Sequence, residues 1–134
     1  MAPSLRFHHT GVACRDLDEA EARYRALGFV REGEDFEDPV QAIRGRFLVL
    51  PGTRIELVAP STAESPVSGW LSRGVHLYHT AYETDDIAAS VAHLKATMRA
   101  KVTVAPVPAV AFSMRKIAFL MAPGGLLVEL IEAA

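Results

Sequence analysis

The chain has 134 residues, a size that suits one domain with its own hydrophobic core. Half of the residues are hydrophobic and 22% are charged, which excludes a disordered chain; a formal charge of -2 offers no basic footprint for nucleic acid or an anionic membrane. A lone cysteine, Cys14, excludes an intramolecular disulfide, no apolar run is long enough for a membrane span, and Met1 to Arg6 lack the apolar stretch of a signal peptide, so the expected compartment is the cytoplasm.

In chain order, a strand-like run at 7–13 leads to Asp16, an N-cap candidate with Glu19 three residues on. Leu17, Ala20, Tyr24 and Leu27 then follow helical spacing until Gly28 stops the run. Strand patterns follow at 29–34, 43–50 and 54–59, the last two joined by the Pro51-Gly52 turn. Residues 61–74 read as a linker carrying one short helix, with Pro66 near its first turn. A strand pattern at 75–83 precedes Asp86, which caps a helix whose Ile87, Val91, Leu94 and Met98 share one face. Strand patterns at 102–105, 115–121 and 126–131 complete the chain, the last two joined at Pro123-Gly124-Gly125.

The order is β-α-β-β-β twice, and the residues repeat with it. His9-Thr10 and Asp16-Leu17 recur as His79-Thr80 and Asp86-Ile87, 70 positions on. Phe47-Leu48 and Pro51-Gly52 recur as Phe119-Leu120 and Pro123-Gly124 at an offset of 72, and Glu56-Leu57 as Glu129-Leu130 at 73. A drift of only three positions, the last of them at the added turn glycine, is the mark of a duplicated unit. The expected fold is α+β, with two tandem βαβββ modules at about 6–60 and 75–132 forming a cupped mixed sheet within a single domain, 1–134.

The repeat places His9, Glu56, His79 and Glu129 on strands where apolar residues would be expected. Glu129 lies within Leu126-Leu127-Val128-Glu129-Leu130-Ile131, a run apolar on both faces, where a carboxylate needs a proton, an arginine or a metal. Singly, a strand histidine is often a hydrogen-bonded core residue, and a strand glutamate faces solvent or pairs with an arginine such as Arg54. Taken together through the repeat, two imidazoles and two carboxylates match the charge of one divalent ion in a shared cup. Mixed nitrogen and oxygen donors do not select among Co, Zn, Mn, Ni, Fe and Mg. Trp70 and Phe112 are candidates for a substrate-binding wall or for core packing.

These four residues in a duplicated βαβββ pattern resemble the vicinal oxygen chelate superfamily of glyoxalase I, extradiol dioxygenases and fosfomycin resistance proteins. Within it, His9-Thr-Gly-Val-Ala, Arg54-Ile-Glu-Leu-Val-Ala-Pro60, Glu64-Ser-Pro-Val and Tyr78-His-Thr-Ala-Tyr-Glu-Thr-Asp-Asp-Ile87 are most similar to methylmalonyl-CoA epimerases. The resemblance implies a metal-dependent isomerase, or a lyase, that stabilises an enolate and moves a proton on a small acyl or carboxylate substrate, with an acyl-CoA as one option. It gives Glu129 a catalytic role beside its metal role and makes Gln41 a substrate-facing residue. It also exposes a departure: where those epimerases carry a glutamate before glutamine, this chain has Val40 before Gln41, with Asp38 or Glu37 as the nearest substitutes. Arg44, Arg46, Arg115 and Lys116 are the basic candidates for a phosphate-bearing ligand, and a homodimer is expected as in many relatives. A binding or resistance protein without turnover, or glyoxalase- or dioxygenase-type chemistry, are the alternatives on the same cup.

Overall fold

The computed structural model describes residues 3–134; Met1 and Ala2, the start of the expected 1–134 domain, lie outside the described residues. Its elements are β1 (Leu5–Ala13), α1 (Leu17–Arg25), β2 (Val30–Asp38), β3 (Ile43–Leu50), β4 (Thr53–Pro60), α2 (Pro66–Ser72), β5 (Leu77–Thr84), α3 (Ile87–Thr97), β6 (Lys101–Pro108), β7 (Lys116–Ala122) and β8 (Leu126–Glu132). Contacts group them into two units, His9–Tyr78 and the segment ending at His8 with His79–Ala134. The α+β class and the repeated βαβββ order expected from the sequence are what the chain adopts.

In the first unit the strand order is β2-β3-β4-β1, with β1 parallel to β4 and the other pairs antiparallel. Asp16 starts α1 by accepting a hydrogen bond from the Glu19 amide at 3.0 Å, satisfying one of the helix's orphan donors. Leu17 and Ala20 then bury against Leu48, Ile55 and Leu57. On the opposite face α2, capped by Ser65, packs Val67 and Leu71 against Ala13, Ile43 and Val58. Since side chains alternate along a strand, Glu56 shares the face of Val58, not that of Ile55 and Leu57.

The second unit has the order β5-β8-β7-β6, with β5 parallel to β8. Asp86 caps α3 through the Ala89 amide at 3.0 Å, and Ile87 and Leu94 bury against Leu120, Val128 and Leu130. Glu129 therefore points to the face away from α3.

Local corrections have simple causes. The first helix stops at Arg25, and Leu27, read as its last apolar contact, is 68% exposed. The amides of Leu27 and Gly28 bond three residues back, to Tyr24 and Arg25, and Gly28 takes a φ of +104°; this tightened end turns Leu27 outward. Strand β2 runs to Asp38, past the expected 29–34, because a register shift between Glu32 and Phe36 lets pairing with β3 resume. Strand β6 likewise spans Lys101–Pro108 with two shifts; at the end of its unit's strand order it tolerates Pro106 and Pro108.

Candidate metal-binding pairs

In the first unit β1 and β4 lie in a register that sets Gly11 opposite Glu56. This brings His9 Nε2 to 3.2 Å from Glu56 Oε1, with both side chains buried. Phe47, opposite Glu56 in the β3–β4 register, stands edge-on to the His9 ring at 5.4 Å between centroids and 77° between planes. The second unit repeats the arrangement. Ala81 lies opposite Glu129, His79 Nε2 is 3.2 Å from Glu129 Oε1, and Phe119, opposite Glu129 on β7, is edge-on to His79 at 5.3 Å and 88°.

A buried carboxylate beside an imidazole is stable only with positive charge or protons to share. Two ligands about 2.1 Å from one divalent ion lie about 3.0 to 3.4 Å from each other in octahedral or tetrahedral geometry. The 3.2 Å separation in each pair falls within that range, so each fits two neighbouring corners of a coordination shell. Arg54, the arginine expected beside a strand glutamate, donates to Glu32 Oε1 at 2.8 Å.

The remaining expected site residues sit in other surroundings. Gln41 lies in the β2–β3 turn, its side-chain amide donating to Asp38 Oδ2 at 2.9 Å. Asp38 is buried, and its Oδ1 accepts from the backbone amides of Val40 and Gln41 at 3.0 and 3.2 Å. It is thus a turn-holding carboxylate, while Val40 is 72% exposed. Trp70, on α2, joins the α2 core beside Tyr78, with the Arg73 guanidinium 4.8 Å above its ring. Phe112, in a short 3-10 turn before β7, is buried and edge-on to His8 at 5.6 Å.

Of the basic candidates for phosphate, Arg46 is withdrawn: it is buried and bonded to Asp35, Asp18 and Glu21. Arg115 is held by Glu83 and by the carbonyls of Phe112 and Glu132. Burial pushes the Cys14 thiol up to about 11, with Asp16 adding to the rise, so this packed cysteine is no nucleophile at neutral pH. Phe47 and Phe119 were visible in the sequence as repeat partners, but only their edge-on contact with the histidines shows what they touch. Among the described residues, no helix is long and apolar enough to cross a membrane.

The model of the Glyoxalase/Bleomycin resistance protein/Dioxygenase superfamily matches residues 8–119. An ethylmalonyl-CoA/methylmalonyl-CoA epimerase of Cereibacter sphaeroides is 35% identical over 94 residues, 67% of this chain and 69% of that protein. The mitochondrial methylmalonyl-CoA epimerase of Bos taurus is 33% identical over 94 residues, and the match spans 67% of this chain but only 53% of that relative. A variant of the Streptomyces coelicolor methylmalonyl-CoA epimerase, solved in complex with 2-nitronate-propionyl-CoA, has a TM-score of 0.80 at 29% identity, covering 98% of this chain and 99% of that one. The resemblance drawn from the four His and Glu residues is borne out at the level of the family.

Proposed function

Because the chain belongs to the glyoxalase/bleomycin resistance protein/dioxygenase superfamily, we propose that His9, Glu56, His79 and Glu129 together hold one divalent metal ion, and that the protein is an epimerase-like enzyme acting on a small acyl or carboxylate substrate. The observation that carries this reading is the duplication of a buried His–Glu pair at the same 3.2 Å separation in both units. Both side chains of each pair are buried, and two neutral imidazoles with two carboxylates balance a divalent charge. When bound, such an ion polarises a substrate carbonyl and stabilises the negative charge left by α-proton removal.

The protein's own residues supply the rest. His9 and His79 present Nε2 as donors, and Glu56 contributes charge. Glu129 is assigned the additional task of moving the α-proton through a carboxylate oxygen. Gln41, held by Asp38, is assigned to the substrate, as are Trp70 and Phe112. An acyl-CoA is the substrate class favoured by the Cereibacter relative, a named acyl-CoA epimerase. The chain is read as one domain, with modules at about 6–60 and 75–132 joined by 61–74, acting as a homodimer in the cytoplasm; the repeated element order supports the module reading and the free thiol the compartment.

The test is α-proton exchange into deuterated water with methylmalonyl-CoA and metal-loaded protein. Deuterium at the α-carbon, lost in Glu129→Gln, is the expected result; no exchange by the metal-loaded wild type would sink the epimerase-like reading. One observation favours a second reading, binding without turnover: the exposed Val40, which cannot transfer a proton. That reading predicts tight acyl-CoA binding with no exchange.

A further inference from the structure

We propose that Phe47 and Phe119 are positioning residues, each holding one histidine ring in the orientation that aims Nε2 at its paired glutamate. The predicted effect on metal affinity rests on the metal reading above; the effect on the rings does not.

A histidine on a strand rotates broadly about its terminal side-chain torsion. The 3.2 Å approach between Nε2 and a carboxylate oxygen fixes the position of one atom rather than the plane of the ring. An aromatic ring standing edge-on against the imidazole, as Phe47 does for His9 and Phe119 for His79, removes that freedom. Register makes the device specific. Each phenylalanine is the cross-strand partner of the ligand-candidate glutamate, so one strand pairing sets both the carboxylate and the ring that orients its imidazole.

The first unit also braces its phenylalanine. Phe36 lies 5.6 Å from Phe47 with 34° between planes, and it occupies the space over Gly45, where an added Cβ would meet Phe36 Cζ at 2.1 Å. A side chain at Gly45 would displace Phe36 and release Phe47. Groups outside the ligand shell, the hydrophobic surroundings among them, orient and tune metal sites.

The experiment compares wild type with Phe47→Met and Phe119→Met, which keep a large apolar side chain but lose the ring. Two readouts are taken: Co(II) affinity by absorption titration, and the imidazole 15N–1H signals of the metal-free protein. Each variant is expected to lose about tenfold in Co(II) affinity, the lower end of such outer-shell effects. In the metal-free spectra only the histidine beside the substituted phenylalanine should shift and broaden, with the other unit's histidine as internal control. Phe119→Tyr, which keeps the ring at a half-buried site, should match wild type. Leu48→Ala, on the α1 face of β3, should lower the melting temperature without changing Co(II) affinity, separating positioning from general loss of packing. Should Phe47→Met fail to fold, the half-buried Phe119 position carries the same test. Unchanged imidazole signals in the folded variants overturn the proposal. Signals that shift in the variants while the wild type fails to bind Co(II) keep the positioning role and overturn the metal reading instead.

Discussion

Arg46 on β3 donates from Nη1 to Oε1 of Glu21 on α1 across 2.8 Å, with both side chains withdrawn from water. The same guanidinium bonds Asp35 through Nε and Nη2 at 2.6 and 2.7 Å and reaches Asp18 at 2.9 Å. Arg25 and Arg31 approach Glu21 from outside. A charge cluster thus fastens α1 to the sheet of the first unit on the side away from the His–Glu pair.

Removing its centre should be costly. Arg46→Met leaves Glu21 buried beside Asp35 without its inner partner, and breaking a buried pair in this way costs about 3 to 5 kcal/mol. The expected outcome is a lower urea midpoint with an unchanged slope. Arg46→Lys should recover only part of it, because an ammonium cannot reproduce the two-nitrogen contact with Asp35.

The same cluster predicts acid lability. The Arg46 hydrogen bonds hold Asp35 below the usual carboxylate range. For Glu21 burial pushes upward, but the bonds from Arg25 and Arg31 outweigh it and the net shift is downward. Both groups therefore bind protons more weakly folded than unfolded. Their stabilisation is complete above their unfolded values of about 4 and is lost as pH falls through the lower folded values. Denaturant midpoints measured from pH 6 to pH 3 should decline at the acid end, and less steeply in Glu21→Gln.

Gly45→Ala should destabilise by about 1 to 3 kcal/mol, the usual range for overpacking, because the new Cβ would collide with the Phe36 ring. Trimming that ring in the double variant Gly45→Ala/Phe36→Leu should return part of the loss. Thermal melts of the four proteins in this cycle give the coupling directly.

Val40 stands exposed in the turn that Asp38 holds. If the missing proton-transfer group limits turnover, Val40→Glu should raise α-proton exchange with methylmalonyl-CoA by about 100-fold, the low end of what a positioned acid or base contributes. A solvent position this open should leave stability within about 0.5 kcal/mol of wild type. Equal exchange rates in the two proteins would show that Val40 is not the limiting substitution.

Much of the fold was legible because its signals are local. Asp16 and Asp86 announce their helices through a carboxylate three residues ahead of an amide, and Pro51-Gly52 announces its hairpin, a two-residue turn between paired Leu50 and Thr53. The errors lie where pairing across the sheet overrides local pattern. The strand pattern stops at Glu34, yet β2 runs on through Asp35 to Asp38 because Phe36 regains register opposite Gly45. Leu27 fits the helical stripe by spacing, but the helix has already ended.

By itself the sequence determined the duplication, and through it the equivalence of His9 with His79 and of Glu56 with Glu129, since a repeat survives as spacing whatever the chain packs against. Only the tertiary structure decided the partners: that each histidine meets its own unit's glutamate, that Phe47 and Phe119 brace those histidines, that Asp38 secures a turn, and that Arg46 is spent inside a charge cluster. Each of these depends on strand register or on a helix docking across the sheet, and such contacts join residues too far apart in the chain for local spacing to specify.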